Sequence, residues 1–199
     1  MAMMLTCLSA AIAFGAIGGC AATHSGTNTN ASTKTGSAAD VLVNVELSQG
    51  YALLHDLLNR NREVTKLLII KSPSKPLTAR VKQIAADSAA GADWIKTMAA
   101  DEPAVSLESQ GLPPAELEAR AGMESDAGGK LLFASGQTLD RRLIIEQLSA
   151  TRYAVQLGKA VNSLDDDKLR SEKLGLTCDA FEAHADALFT LLEQVGAAE

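Results

Sequence analysis

Along most of the chain apolar residues recur at alternating steps of three and four, the spacing that gathers side chains on one face of a helix. Leu47, Tyr51, Leu54 and Leu58 predict a first helix from about Val45 to Lys71, with the polar run Asn59–Arg62 as a candidate break before Val64–Ile70. Pro73 and Pro76 enforce a turn, because neither ring fits a helix interior and each biases its predecessor away from helical angles. A second helix follows from about Pro76 to Ala100, with Leu77, Val81, Ile84, Ser88, Gly91 or Ala92, and Ile95 as its stripe. Small residues at Ala85, Ala89 and Gly91 let a neighbour approach closely. Beyond a loop from Asp101 to Gly111, Pro113-Pro114 predicts a short helix from Ala115 to about Ser125, ended by Gly128-Gly129. Proline suits that position because a first turn has no donor to lose.

The third long helix is expected from about Lys130 to Asn162, with a near-heptad stripe of Leu139, Leu143, Gln147, Ala150, Ala154, Leu157 and Val161, and a candidate kink at Gly136. Asp165-Asp166-Asp167 opens the fourth, where carboxylates can cap free backbone donors and meet the positive end of the helix dipole. Its stripe of Leu174, Cys178, Phe181, Ala185, Leu188, Leu192 and Val195 suits packing at a shallow crossing angle. The expectation is an all-α fold: an antiparallel four-helix bundle over residues 40–199, with one extra short helix in the crossover between the second and third long helices.

The first forty residues break this pattern. Met1 to Gly19 is apolar and uncharged, holds Gly15, Gly18 and Gly19, and ends in Ile17-Gly18-Gly19-Cys20. It is short for a membrane span, which needs about 20 apolar residues. An apolar segment followed by small residues is the pattern of a cleaved export signal, although no Lys or Arg precedes it here. Ile17–Cys20 resembles the lipobox of bacterial lipoproteins. That resemblance implies removal of residues 1–19 and lipidation of Cys20, which then holds the protein to a membrane through more than one acyl chain. Ala21, where an aspartate implies retention at the inner membrane, leans toward the outer membrane in an organism that has one. Ala21 to Ala39 is Ser, Thr, Asn, Gly and Ala with one lysine and one histidine and has no apolar period, so with Cys20 it is too polar to offset ordering. Residues 20–39 read as a disordered tether with a reach of about 25 Å.

The formal net charge of −6 removes any overall electrostatic reason to seek nucleic acid or anionic lipid. Among three cysteines, cleavage removes Cys7 and lipidation occupies Cys20, so the mature chain has no internal disulfide partner for Cys178. Cys178 lies in an apolar stripe, where a thiol behaves as an inert small hydrophobe. One tryptophan, two tyrosines and four phenylalanines amid abundant Ala and Leu favour closely packed helices, with Trp94 and Tyr153 at stripe edges as packing residues.

Four long helices raise the question of a di-iron carboxylate site, which requires Glu-x-x-His on two helices and a Glu on each of the others. Glu182-Ala183-His184 is one residue too short and has no second copy. His55 and His184 each flank a stripe, so with Glu146 or Glu182 they are the candidates for a mononuclear metal site; otherwise they are boundary histidines. His24 is a solvated histidine of the tether. Gln147 and the adjoining Glu146 fit a register-fixing role better than a catalytic one. Asp140-Arg141-Arg142 reads as a solvated charged face. Asp165–Asp167 lacks the spaced oxygens and glycine turn of a calcium loop. No nucleophile triad, phosphate loop, dinucleotide motif or zinc-spaced cysteines occur, so catalytic and cofactor-binding residues are assigned to none.

Beyond the lipobox, helix order, the Leu112-Pro113-Pro114-Ala115-Glu116 lead-in and the Gln-containing third helix resemble bacterial envelope four-helix domains of unknown function with ferritin-like topology. No functional residue carries over from that resemblance. The expectation is a lipid-anchored, non-enzymatic envelope protein acting by contact, as an oligomer or as accessory to another envelope protein. A metal or redox bundle and a carrier of a small apolar ligand between helices are the alternatives.

Overall fold

The computed structural model describes residues 38–102, 105–108 and 110–197. The lipobox, Cys20, His24 and nearly all of the expected tether lie outside the described residues. Those described are helical and connecting, with no strand among them: α1 (Ala38–Glu63), α2 (Leu67–Ile70), α3 (Lys75–Asp101), α4 (Pro114–Phe133), α5 (Gly136–Leu164) and α6 (Lys168–Gly196). A 3₁₀ turn, Val64–Lys66, separates α1 from α2 directly after the polar patch, where the break was expected. α1 begins at Ala38, earlier than the apolar stripe alone predicts.

α1 packs on α3 and α5, and α6 packs on the same two helices. This places one core between them, to which α1 contributes Tyr51, Leu54 and Leu58 and α3 contributes Leu77, Val81, Ile84 and Ile95. Leu139, Leu143, Ile144 and Val161 of α5 join Leu174, Phe181 and Leu188 of α6 in the same cluster. The stripes of the second and fourth long helices are buried largely as their spacing requires; Leu192 and Val195 are partly buried where α6 nears its end. α5 and α6 approach closely at Gly158, where a Cβ would lie 2.6 Å from the Sγ of Cys178. Glycine here lets the two helices meet.

The helix boundaries differ from expectation at three places. α4 is longer, running through Gly128 and Gly129 to Phe133, and α5 begins only at Gly136. The break falls at Ala134 and Ser135, both extended, because Ala134 is buried and its carbonyl accepts from Lys71 Nζ at 2.9 Å. Gly136 starts α5, with a left-handed φ of 53°, and does not kink it. α6 starts after the acidic run, and within that run Asp167 is the cap, its carboxylate accepting from Arg170 N at 2.9 Å.

α4 stands apart energetically. Leu131 is its one buried residue, and Leu117, Met123, Leu132 and Phe133 are exposed. Polar contacts hold it against α1 and α5: Arg60 of α1 pairs with Glu124, and Arg120, paired within α4 to Glu116, donates to the Tyr153 hydroxyl of α5 at 3.2 Å. The Arg120 guanidinium also lies 5.6 Å from the centre of the Tyr153 ring. Tyr153 is therefore an exposed partner of α4, not a core aromatic, whereas Trp94 packs partly buried and edge-on to Tyr51 as expected.

Candidate functional site

Two of the buried polar groups, Asp165 and His184, each stand at the centre of a constellation. In the first, the turn between α5 and α6 folds Asp165 inward until its side chain is wholly inaccessible. Its Oδ2 accepts from the Tyr51 hydroxyl at 2.6 Å and from Arg170 Nε at 2.8 Å. Its Oδ1 accepts from Arg170 Nη2 at 2.7 Å and from Asp167 N at 3.0 Å. Burial by itself would push this carboxyl up, yet these donors, Arg170 foremost, outweigh it and hold the group below the usual aspartate range. Tyr51 responds in the opposite sense: burial first, then the carboxylate it faces, raise its phenol far above the ordinary value. The bidentate bond to Asp165 likewise raises Arg170. The cluster is a closed, charge-compensated tie between α1 and the start of α6.

The second constellation joins α3 to α6. Buried His184 has its Nε2 2.7 Å from Asp87 Oδ2 and its Nδ1 3.2 Å from Arg80 Nη1. Arginine has donors only, so it meets an unprotonated Nδ1 and leaves Nε2–H to donate to Asp87. Both ring nitrogens are thereby engaged, and no ring position remains for a substrate proton. The Phe181 ring lies edge-on to the imidazole at 6.0 Å between centres.

The four sequence candidates for a metal do not come together. His184 faces α3; Glu182, two residues earlier, is exposed and pairs with Lys159 of α5. Glu146 is exposed. His55, on α1, lies against the Asn59 amide, 3.1 Å from its Nε2, and partial burial lowers its pKa. Among the described residues, no three His, Cys, Asp or Glu side chains are grouped to hold a metal ion.

Cys178 is buried, 3.8 Å from the carbonyl of Val155, and burial pushes its thiol up, as befits a packing residue. Gln147 is buried in the α5 stripe with its Oε1 lacking a hydrogen-bond partner among the described residues. Asp140, expected on a solvated face, is buried instead: its carboxylate accepts from Ser74 N at 3.0 Å and tethers the start of α3 to α5.

Open clefts lie between the helices, two of them lined largely by apolar side chains. One, of about 460 Å³, lies where α3 and α5 begin and α6 ends, and is lined by Leu77, Asp140, Ile144, Leu191 and Val195 among others. The other, of about 370 Å³, lies beneath α4 and is lined by Leu53, Leu57, Met123, Ala150 and Tyr153, with Arg60 and Arg120 at its border.

Sequence reasoning missed the Tyr51–Asp165–Arg170 tie. It read Tyr51 as core and Asp165 as one of three interchangeable caps. A usable signal was present: a tyrosine in an apolar stripe needs a partner for its hydroxyl once buried. Compared with known protein families, with characterised protein sequences and with solved structures, the chain matches none.

Proposed function

We propose that this protein is a lipid-anchored envelope protein whose helical domain is an antiparallel four-helix bundle, with α4 in the crossover, working by contact and not by catalysis. The observation that carries the anchor is Ile17-Gly18-Gly19-Cys20 at the end of an uncharged apolar run, followed by polar sequence up to the first helix. The bundle reading is supported by opposed residue order at each contact. Tyr51 meets Trp94 while Leu58 nears Gly91, Gln137 bonds the carbonyl of Val195 while Gly158 nears Cys178, and Arg80 bonds His184 while Gly91 nears Thr177. A role by contact is supported by the polar interior, where carboxylates, the buried imidazole and the buried phenol are engaged in joining helices.

Replacement of Cys20 tests the anchor directly. In the source organism, Cys20→Ser is expected to move the protein out of the membrane fraction and abolish incorporation of a clickable fatty acid. An intact mass for the unsubstituted protein that retains residues 1–19 without acyl groups would reject it. The cleft beneath α4 favours one second reading, a carrier of a small apolar ligand. Native mass spectrometry that finds an apolar molecule retained by the wild-type protein and lost on Ala150→Trp would support it.

A further inference from the structure

The end of the bundle formed by the α2–α3 and α4–α5 turns carries large apolar side chains that no described residue covers. The bonds from Lys71 Nζ to the Ala134 carbonyl and from Ser74 N to Asp140 bring these two turns together. On one turn Ile69 is 83% exposed and Ile70 64%; on the other Phe133 is 93% exposed, with Leu132 beside it.

The charge at this end runs against that of the chain, whose formal net charge is −6. Lys66 and Lys130 pair with Glu63 and Asp126 on the tip itself. Lys71 and Arg142 donate to the backbone carbonyls of Ala134 and Lys130, so both keep their full charge, and Lys75 is exposed on the first turn of α3. No acidic side chain pairs with these three among the described residues; the Asp140 carboxylate at this end is buried and bound to Ser74 N, one negative charge against three positive ones. Exposed Ile and Phe ringed by Lys and Arg are the combination that inserts into a headgroup layer bearing negative charge.

We infer that this tip docks on a bilayer surface rich in anionic phospholipid, with Phe133, Ile69 and Ile70 entering the interface and Lys71, Lys75 and Arg142 facing the phosphates. α1 starts at the opposite end, 26 residues away along its axis, or about 40 Å. The contact is made by residues of the bundle and does not require any lipid at Cys20.

The test uses the full chain carrying Cys20→Ser, so that no acyl group contributes, together with Phe133→Trp as a local reporter. The signal of Trp94 is subtracted with the Phe133 parent. With vesicles of mixed phosphatidylglycerol and phosphatidylcholine, the indole at position 133 should shift to the blue and be quenched by brominated acyl chains. Lys71→Gln and Lys75→Gln should each weaken partitioning by about five-fold, and Ile70→Ser by roughly ten-fold. Four results would overturn the proposal. These are a water-like indole while the protein sediments with vesicles through another region, and equal partitioning into pure phosphatidylcholine. The third is unchanged partitioning in the lysine variants, and the fourth a blue shift without vesicles that grows with protein concentration, which indicates self-association. Lys75, Ile70 and Phe133 are exposed, so their variants should keep the parent's urea midpoint, whereas Lys71→Gln also loses the bond to the Ala134 carbonyl and is compared at matched folded fraction.

Discussion

Tyr51→Phe removes a single oxygen from a position with no solvent exposure and leaves the ring's packing intact. What disappears is the 2.6 Å bond to the Asp165 carboxylate, while that group keeps Arg170 and Asp167 N as donors. A hydrogen bond to a charged group contributes about 1.5–3 kcal/mol, so urea unfolding should show a loss of about 2 kcal/mol. For a domain of this size that corresponds to a fall in Tm of roughly 4–8 °C. The pH dependence supplies a second check. Asp165 is held below its unfolded pKa, so its stabilising contribution is complete above the ordinary aspartate range near pH 4 and disappears as pH falls through the lowered value. The bond from Tyr51 helps to hold it there, so the gap between wild type and Tyr51→Phe should be full near neutrality and narrow in acid. A loss under about 0.5 kcal/mol, or a gap of constant size from neutral pH into acid, would refute the claim that the phenol stabilises a buried carboxylate.

Three further predictions concern helix packing. Gly158→Ala places a methyl 2.6 Å from Cys178 Sγ and should cost about 1–3 kcal/mol in urea unfolding despite the better helix propensity of alanine, with partial recovery on adding Cys178→Ala. A neutral or stabilising single substitution would contradict the close approach of α5 and α6. In a chain carrying Cys7→Ser and Cys20→Ser, Cys178 should react slowly with a thiol reagent in the folded state and fast in urea, because burial both shields the thiol and keeps it protonated; equal rates would argue otherwise. Gly128→Ala and Gly129→Ala meet no atom within 4 Å, so each should strengthen α4 by about 1 kcal/mol and slow its amide exchange. The global urea midpoint should barely move, since Leu131 is the only buried residue α4 supplies; exchange as fast as in wild type would show that α4 is limited by something other than its glycines.

Periodicity made the helices and most of their buried faces legible, because the step of three and four is a local property of a regular backbone. The stripes Leu77–Ile95 and Leu174–Leu188 could be read without knowing what they pack on. Capping at the head of α6 was legible for the same reason: a carboxylate and the amide it accepts from lie three residues apart. Local rules failed where an end is decided from a distance, as at Ala134–Ser135, where a buried alanine and a lysine from another helix stop α4 in place of the two glycines inside it.

Charged residues show the same division. Asp140 and Asp165 look like their solvated neighbours in the chain, and only the docking of Ser74 N on one and of Tyr51 and Arg170 on the other turned them inward. A helical period tells which face a residue occupies, but the partner that can compensate a buried charge comes from another helix. Packing alone decides it. The candidate metal residues parted for that reason, His184 to α3 and Glu182 to α5, although they are two positions apart on one helix.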